Sequence, residues 1–250
     1  MSSIAISLVV FLCVFGSAVI GTFIRGSLPE SHLSAHSQGV VRLGMGFVAT
    51  MAALVLGLLV SSAKSSYDTQ SAELTDMSSK VIFLDRVLAH YGPETKEARD
   101  LLRGAVVANL DRIWPQERGR TSEMAPTSTA EAVLDKIQAL SPKDDTQRSL
   151  KVQAFSLVLV LGQTRWLVYE QGAGSVSKPM LVILVFWLAA IFFSFGLSAP
   201  RNATVTTAFF ISGLSVSGAI YLILEMYTPF RGLIEISSAP LRFALAHLGQ

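Results

Sequence analysis

The sequence predicts an all-α integral membrane protein with four transmembrane helices. A helical soluble insert lies between spans two and three, and the second span continues into a long soluble helix. Three observations predict this. The chain of 250 residues is 51% hydrophobic and only 15% charged, where a soluble domain carries about 25% charge, and the shortage is confined to the two ends. Four apolar runs of near-bilayer length stand at Ile4–Ile24, Val41–Val60, Met180–Leu197 and Thr204–Tyr227. No Pro or Gly run separates the second of them from the polar, heptad-patterned stretch that follows. The expected organisation is residues 1–60 as the first two spans, 61–177 as the insert, 178–228 as the last two spans and 229–250 as a tail.

Composition also excludes. A net charge of +2 is too small and too scattered for a nucleic-acid partner. One cysteine, Cys13, rules out an intrachain disulfide framework and any multi-cysteine metal site. It reads as a small buried apolar residue.

In chain order, the first run competes with a cleaved signal peptide. The missing positive n-region and the long apolar run favour a retained helix. Gly16 and Gly21 in it allow close helix approach. The loop after Arg25 holds His32 and His36, four apart and able to share a helix face. With only Glu30 as a possible third ligand, no metal site is expected.

The stretch Gly39–Tyr91 is the organising element. Past Lys64, apolar residues fall at Leu74, Met77, Val81, Leu84, Leu88 and Tyr91, alternating steps of three and four. That is the rhythm of a packed seam, read here as a seam between copies. Gly92-Pro93 ends the helix. The result is one helix of roughly 50 residues, on the order of 75 Å. In its membrane part, Gly46, Ala49, Ala53 and Leu56 form a small-residue contact face. Phe47, Met51, Leu54 and Leu58 form another. They are the pore-lining candidates, together with Arg42 at one mouth, where a cation favours anions modestly.

Three more helices complete the insert. Pro93 and Glu94 start one that runs to Ile113, where Trp114-Pro115 ends it. Gln116–Thr129 reads as a loop, and Ala130–Leu140 as a short helix capped by Ser128 or Thr129. Asp144–Gln171 is a long helix, with Leu150, Ala154, Leu157 and Leu161 as its stripe and Phe155–Leu161 as its buried run. Gly172–Ser175 reads as a hinge.

Lys178-Pro179 starts the third span, and Ala199–Asn202 turns into the fourth. Asn202-Ala203-Thr204 fits a glycosylation sequon, expected to stay unused against the membrane. Ser212, Gly213, Ser215, Ser217 and Gly218 offer a close-packing surface. Glu225 is the intramembrane acid candidate; the alternative is an interfacial carboxylate paired with Arg231 or an amide. The tail is expected to form a short interfacial helix from Ser238.

Four short motifs, in this order and spacing, carry a resemblance over nearly the whole chain: Leu28-Pro29-x-x-His32, Trp114-Pro115, Arg165-Trp166 and Pro229-Phe230-Arg231-Gly232. With the layout of two spans, insert and two spans, the chain resembles the bestrophin-like family. The resemblance implies a homo-oligomeric, pentameric anion channel in a bacterial inner membrane, its insert cytoplasmic, its partners membrane lipid and inorganic ions. The acidic calcium clasp of animal bestrophins has no match here, which puts calcium gating in doubt.

No nucleophile elbow, phosphate-cradling Gly loop, HExxH motif or paired carboxylates appear. No enzyme activity and no cofactor are therefore expected. Two readings of function stay open: an oligomeric ion channel lined by the second membrane helix, and a non-conducting membrane sensor or scaffold assembling through its helical insert. The nature of the Phe47, Met51 and Leu54 face, a nearly uncharged wall, separates them. A channel with such a wall selects by dimensions, backbone dipoles and a hydrophobic gate.

Overall fold

The computed structural model describes residues 2–27, 29, 35–114, 126–171, 177–230 and 232–249. Among them are helices and no strand. They form two compact units. The first comprises residues 1–67 and 174–228, the second 68–173 and 229–250.

The first unit contains α1 (Ser3–Arg25), the N-terminal part of α2 (Ala35–Tyr91), α6 (Lys178–Ser198) and α7 (Ala203–Met226). These four helices are long and apolar enough to cross a membrane. In lipid, apolar surface gives helices no reason to associate, so close packing and interhelical hydrogen bonds must do so. Both are present. Gly21 of α1 and Gly196 of α6 let the two backbones touch: a Cβ at Gly196 would collide with the Ala18 carbonyl oxygen, and one at Gly21 with that of Phe193. The Ser217 hydroxyl of α7 donates to the Ser7 carbonyl of α1 at 2.7 Å. Phe210 sets its edge against Phe11 and Phe15, with centroids 5.4 and 5.7 Å apart.

The helix ends are tied as well. Arg25 donates to the Ser198 carbonyl at 3.1 Å. Arg201 donates to the Thr22 and Phe23 carbonyls at 2.9 and 2.7 Å and lies over the Phe23 ring. These guanidiniums satisfy carbonyls that helix ends leave open. The Asn202 side chain caps α7 by accepting from the Val205 amide at 2.8 Å. At the other end, the Tyr227 hydroxyl meets Ser62 at 3.0 Å.

α2 is a single helix of 57 residues. It ends at Gly92, whose φ of 137° is open to glycine but strained for other residues. Its buried face in the first unit is Ala52, Leu59 and Ala63, with Met45, Val48, Val55 and Leu56 partly covered. That lies one step from the expected face: Gly46 and Ala53 are exposed. Gly16 and Gly218 likewise meet nothing within 4 Å, so Gly21, Gly196, Gly213 and Ser217 make the close contacts instead. Cys13 is exposed rather than buried, because the inward stripe of α1 is Val10, Val14, Ala18 and Gly21.

The second unit is built from the rest of α2, a 3-10 turn at Pro93–Thr95, α3 (Lys96–Ile113), α4 (Pro126–Gln138), α5 (Asp145–Gln171) and α8 (Ala239–His247). α4 starts earlier than expected, taking in Ser128 and Thr129, which therefore do not cap it; proline suits a first helical turn. α5 starts as expected, with the Asp144 carboxylate accepting from the Gln147 amide at 2.7 Å. On α5 only Ala154 of the expected stripe is fully buried; Leu159 and Val160 are exposed.

α8 turns one face into the second unit and leaves Phe243 exposed. Leu241, Ala244 and the following Leu248 are buried within the second unit. The loop at Gly172–Ser175 lies outside the described residues.

Two outcomes test this packing. Gly196→Leu removes folded protein from the membrane fraction, whereas Gly16→Ala leaves yield and thermal midpoint unchanged. In the second unit, Leu88→Ala truncates a side chain with no exposed surface, at a cost of about 2–5 kcal/mol. Its signature is a lowered thermal midpoint with the folded complex's light-scattering mass unaltered.

Candidate functional site

The α2 residues Phe47, Met51, Leu54 and Leu58 share a face because their steps of four, three and four return the helix to the same side. That side points away from the buried stripe of Ala52, Leu59 and Ala63. Phe47, Leu54 and Leu58 are exposed at 67, 59 and 62%, and Met51 is half-buried. The chain itself leaves the face uncovered. The structure does not bring Arg42 onto it. Arg42 falls on the other side of α2 with Met45, Gly46 and Ala49, along a groove against α6 and α7. Its guanidinium donates to the Gln38 side chain at 3.3 Å.

Glu225 is buried near the end of α7. Tyr221, one turn earlier, hydrogen-bonds to it. The Glu225 carbonyl accepts from the Thr228 amide and hydroxyl, at 2.9 and 3.1 Å, closing the helix. Arg231, the expected partner, lies outside the described residues, as do Leu28, Glu30, His32 and Pro115. The side chains of His36, Arg165 and Trp166 are likewise not described.

The six residues expected to form a seam between copies sit elsewhere in the economy of the fold. Leu74, Met77, Val81, Leu84, Leu88 and Tyr91 are all buried within their own chain. The heptad rhythm therefore marks an intramolecular core: a stripe reserved for a second copy would be exposed in one chain. Met77, Val81 and Leu84 border an apolar pocket of about 220 Å³, lined also by Leu102 and Val106 of α3 and Val133 of α4. Burial pushes the Tyr91 phenol above its usual pKa, with Glu94 nearby adding to the shift.

Sequence reasoning missed the polar centre of this core. Asp85, 1% exposed, receives two hydrogen bonds from Arg99 of α3, at 2.7 and 2.9 Å. A third comes from the backbone amide of Gly249, at 3.1 Å, just past α8. The available signal was an acid one position past Leu84, inside a stripe of buried spacing.

The tail is held at two more places. Arg103 donates to the Leu248 carbonyl at 3.4 Å, and the Trp114 indole donates to the Ile236 carbonyl at 3.0 Å. Trp114 also meets Phe230 edge-on at 5.9 Å. Two of the four motifs that carried the resemblance thus touch each other. Among the described residues, no group of three or more His, Cys, Asp or Glu could hold a metal ion.

These features define an all-helical membrane protein whose C-terminal tail is pinned into a compact helical unit. The Bestrophin-like domain model matches residues 12–241. The chain belongs to the Bestrophin-like family. A search of curated protein sequences found no match. Among solved structures, the chain is similar to a bacterial bestrophin homolog from Klebsiella pneumoniae carrying a point mutation, at a TM-score of 0.54 and 16% identity. The match covers 96% of this chain and 97% of the other. At that identity it establishes the fold.

Asp85 makes the second unit acid-sensitive. Burial alone would raise its carboxyl, but the hydrogen bonds from Arg99 and Gly249 and the charge of Arg99 outweigh that and hold it below the usual carboxylate range. A group with a lowered folded pKa contributes its stability fully above the unfolded value, near pH 4, and loses it as pH falls through the folded value. Wild-type stability, followed by circular dichroism, therefore declines below about pH 4. Asp85→Asn loses roughly 3 kcal/mol at neutral pH, because it strands a largely buried guanidinium, and its melting is flatter through the acid range.

Proposed function

We propose that this chain is the subunit of an oligomeric ion channel whose conduction path is lined by the Phe47, Met51, Leu54 and Leu58 face of α2. The observation that carries the reading is that this face points away from the unit's own core and leaves three bulky apolar side chains uncovered. Membership of the Bestrophin-like family supports it. On this reading several copies, five by resemblance, turn the face toward a common axis. The four apolar helices lie in a bacterial inner membrane and the second unit lies in the cytoplasm.

The wall then carries no fixed charge, and apolar constrictions control conduction by dewetting. Arg25 and Arg201 are held at one end of α1, α6 and α7, and Arg42 belongs to the same end through its groove with Ser198 and Ala199. With no carboxylate on any of the three among the described contacts, this end favours anions modestly through its field. Arg42 acts there from beside the path rather than within it.

Shrinking and wetting the gate tests the reading. Met51→Ser with Leu54→Ser raises basal ion flux of purified protein in liposomes above wild type. If wild-type and mutant vesicles stay as tight as empty ones under voltage and varied pH, the non-conducting scaffold reading prevails. Flux that neither substitution alters places the path along another helix, with α7 and Glu225 the next candidate.

A further inference from the structure

The groove beside Arg42 is not explained by the conduction path, because it opens on the other side of α2. It has a volume of about 430 Å³, within the range of small-molecule sites. Gly46 and Ala49 of α2 form one wall, and Phe195 and Ser198 of α6 with Ala208 and Phe209 of α7 form the other. Small residues on α2 hold it open: Gly46 carries no side chain, and nothing lies within 4 Å of where its Cβ would be. The groove is mainly apolar, and Arg42 borders it at the end where Ser198 closes α6.

Three arginines gather at that end, and they are not equivalent. Arg25 and Arg201 spend their donors on helix carbonyls. Arg42 instead donates to the neutral Gln38 side-chain amide oxygen, and among the described residues no carboxylate pairs with it. A cation at the end of an apolar helix, above an apolar groove, is complementary to an anionic headgroup attached to an acyl chain. The groove walls belong to helices long and apolar enough to lie in a membrane, where such molecules are the solvent.

We propose that this groove binds one anionic membrane lipid, its headgroup on Arg42 and its acyl chain along Gly46, Ala49 and Phe209. The proposal is independent of whether the chain conducts ions.

The full-length protein in neutral detergent is titrated with a phosphatidylglycerol, with a phosphatidylcholine of the same acyl chains and with inorganic phosphate, and bound lipid is counted by native mass spectrometry. The expected result is that phosphatidylglycerol binds about five-fold more tightly than phosphatidylcholine, the factor one surface cation supplies. Phosphate fails to displace it. Arg42→Gln abolishes the preference, Arg42→Lys retains most of it, and Ala49→Phe, which fills the groove, weakens both lipids. Arg42 is exposed, so its variants keep the fold, and an unchanged thermal midpoint checks this.

An Arg42→Gln protein that keeps the preference overturns the proposal, as does an Ala49→Phe protein that binds both lipids like wild type. Displacement by phosphate alone overturns it in favour of a free-anion site. Loss of oligomer mass in Ala49→Phe with the lipid count unchanged overturns it in favour of a second copy in the groove.

Discussion

The first unit rests on the contact between the backbones of α1 and α6 at Gly21 and Gly196. Helices in hydrocarbon gain little from burying apolar side chains against one another, since lipid tails offer the same surroundings. What remains is dispersion between atoms brought very close, and the few hydrogen bonds that close approach permits. Removing the side chain at both positions lets main chain meet main chain. The arginine bonds to helix-end carbonyls at Ser198, Thr22 and Phe23 then fix the ends of the same helices. α7 is positioned against α1 through Ser217 and Gly213, and the buried stripe of α2 contributes Ala52, Leu59 and Ala63 to the same core.

The second unit solves its stability problem with other chemistry. Its core is a conventional one of Leu, Val and Ile, driven by removal of apolar surface from water. Within it sits a charged cluster: two donors from Arg99 and one from the Gly249 amide meet the Asp85 carboxylate. A buried charge pair adds little net stability over an apolar substitute, but breaking half of it is costly. Its positive effect is on arrangement. It fixes α3 to α2, and it ties residues at the far end of the sequence to both. Trp114 adds a second tie to the same tail through Ile236 and Phe230.

α2 is the element both units use, and it divides labour around its circumference. In the first unit its buried residues are Ala52, Leu59 and Ala63; in the second they include Leu74, Leu84 and Leu88. The side carrying Phe47, Leu54 and Leu58 is left open. Arg42, Gly46 and Ala49 occupy a third sector, along the groove with α6 and α7. An open apolar face and a cation over an apolar groove are different chemistries. The structure separates them on one helix, where the sequence reading had Arg42 at the mouth of the path lined by that face.

What the sequence by itself determined was the element list and its periodicity. The four apolar helices, the unbroken run through Val60 and the stop at Gly92-Pro93 follow from local rules: run length, absence of breakers and a glycine with positive φ. The inward stripe from Leu74 to Tyr91 was legible for the same reason, since a helix turns its residues at a fixed angle. Which surface covers that stripe was not. A heptad pattern states that a face is buried and says nothing of whether the cover comes from the same chain, so a seam between copies and an intramolecular core look alike in one dimension. Only the tertiary structure decided that, along with the choice of Gly21 and Gly196 over Gly16, the exposure of Cys13 and the pairing of Asp85 with Arg99 and Gly249. Each depends on what lies opposite in space, from residues far away in sequence, and pairwise proximity of that kind leaves no local periodic trace.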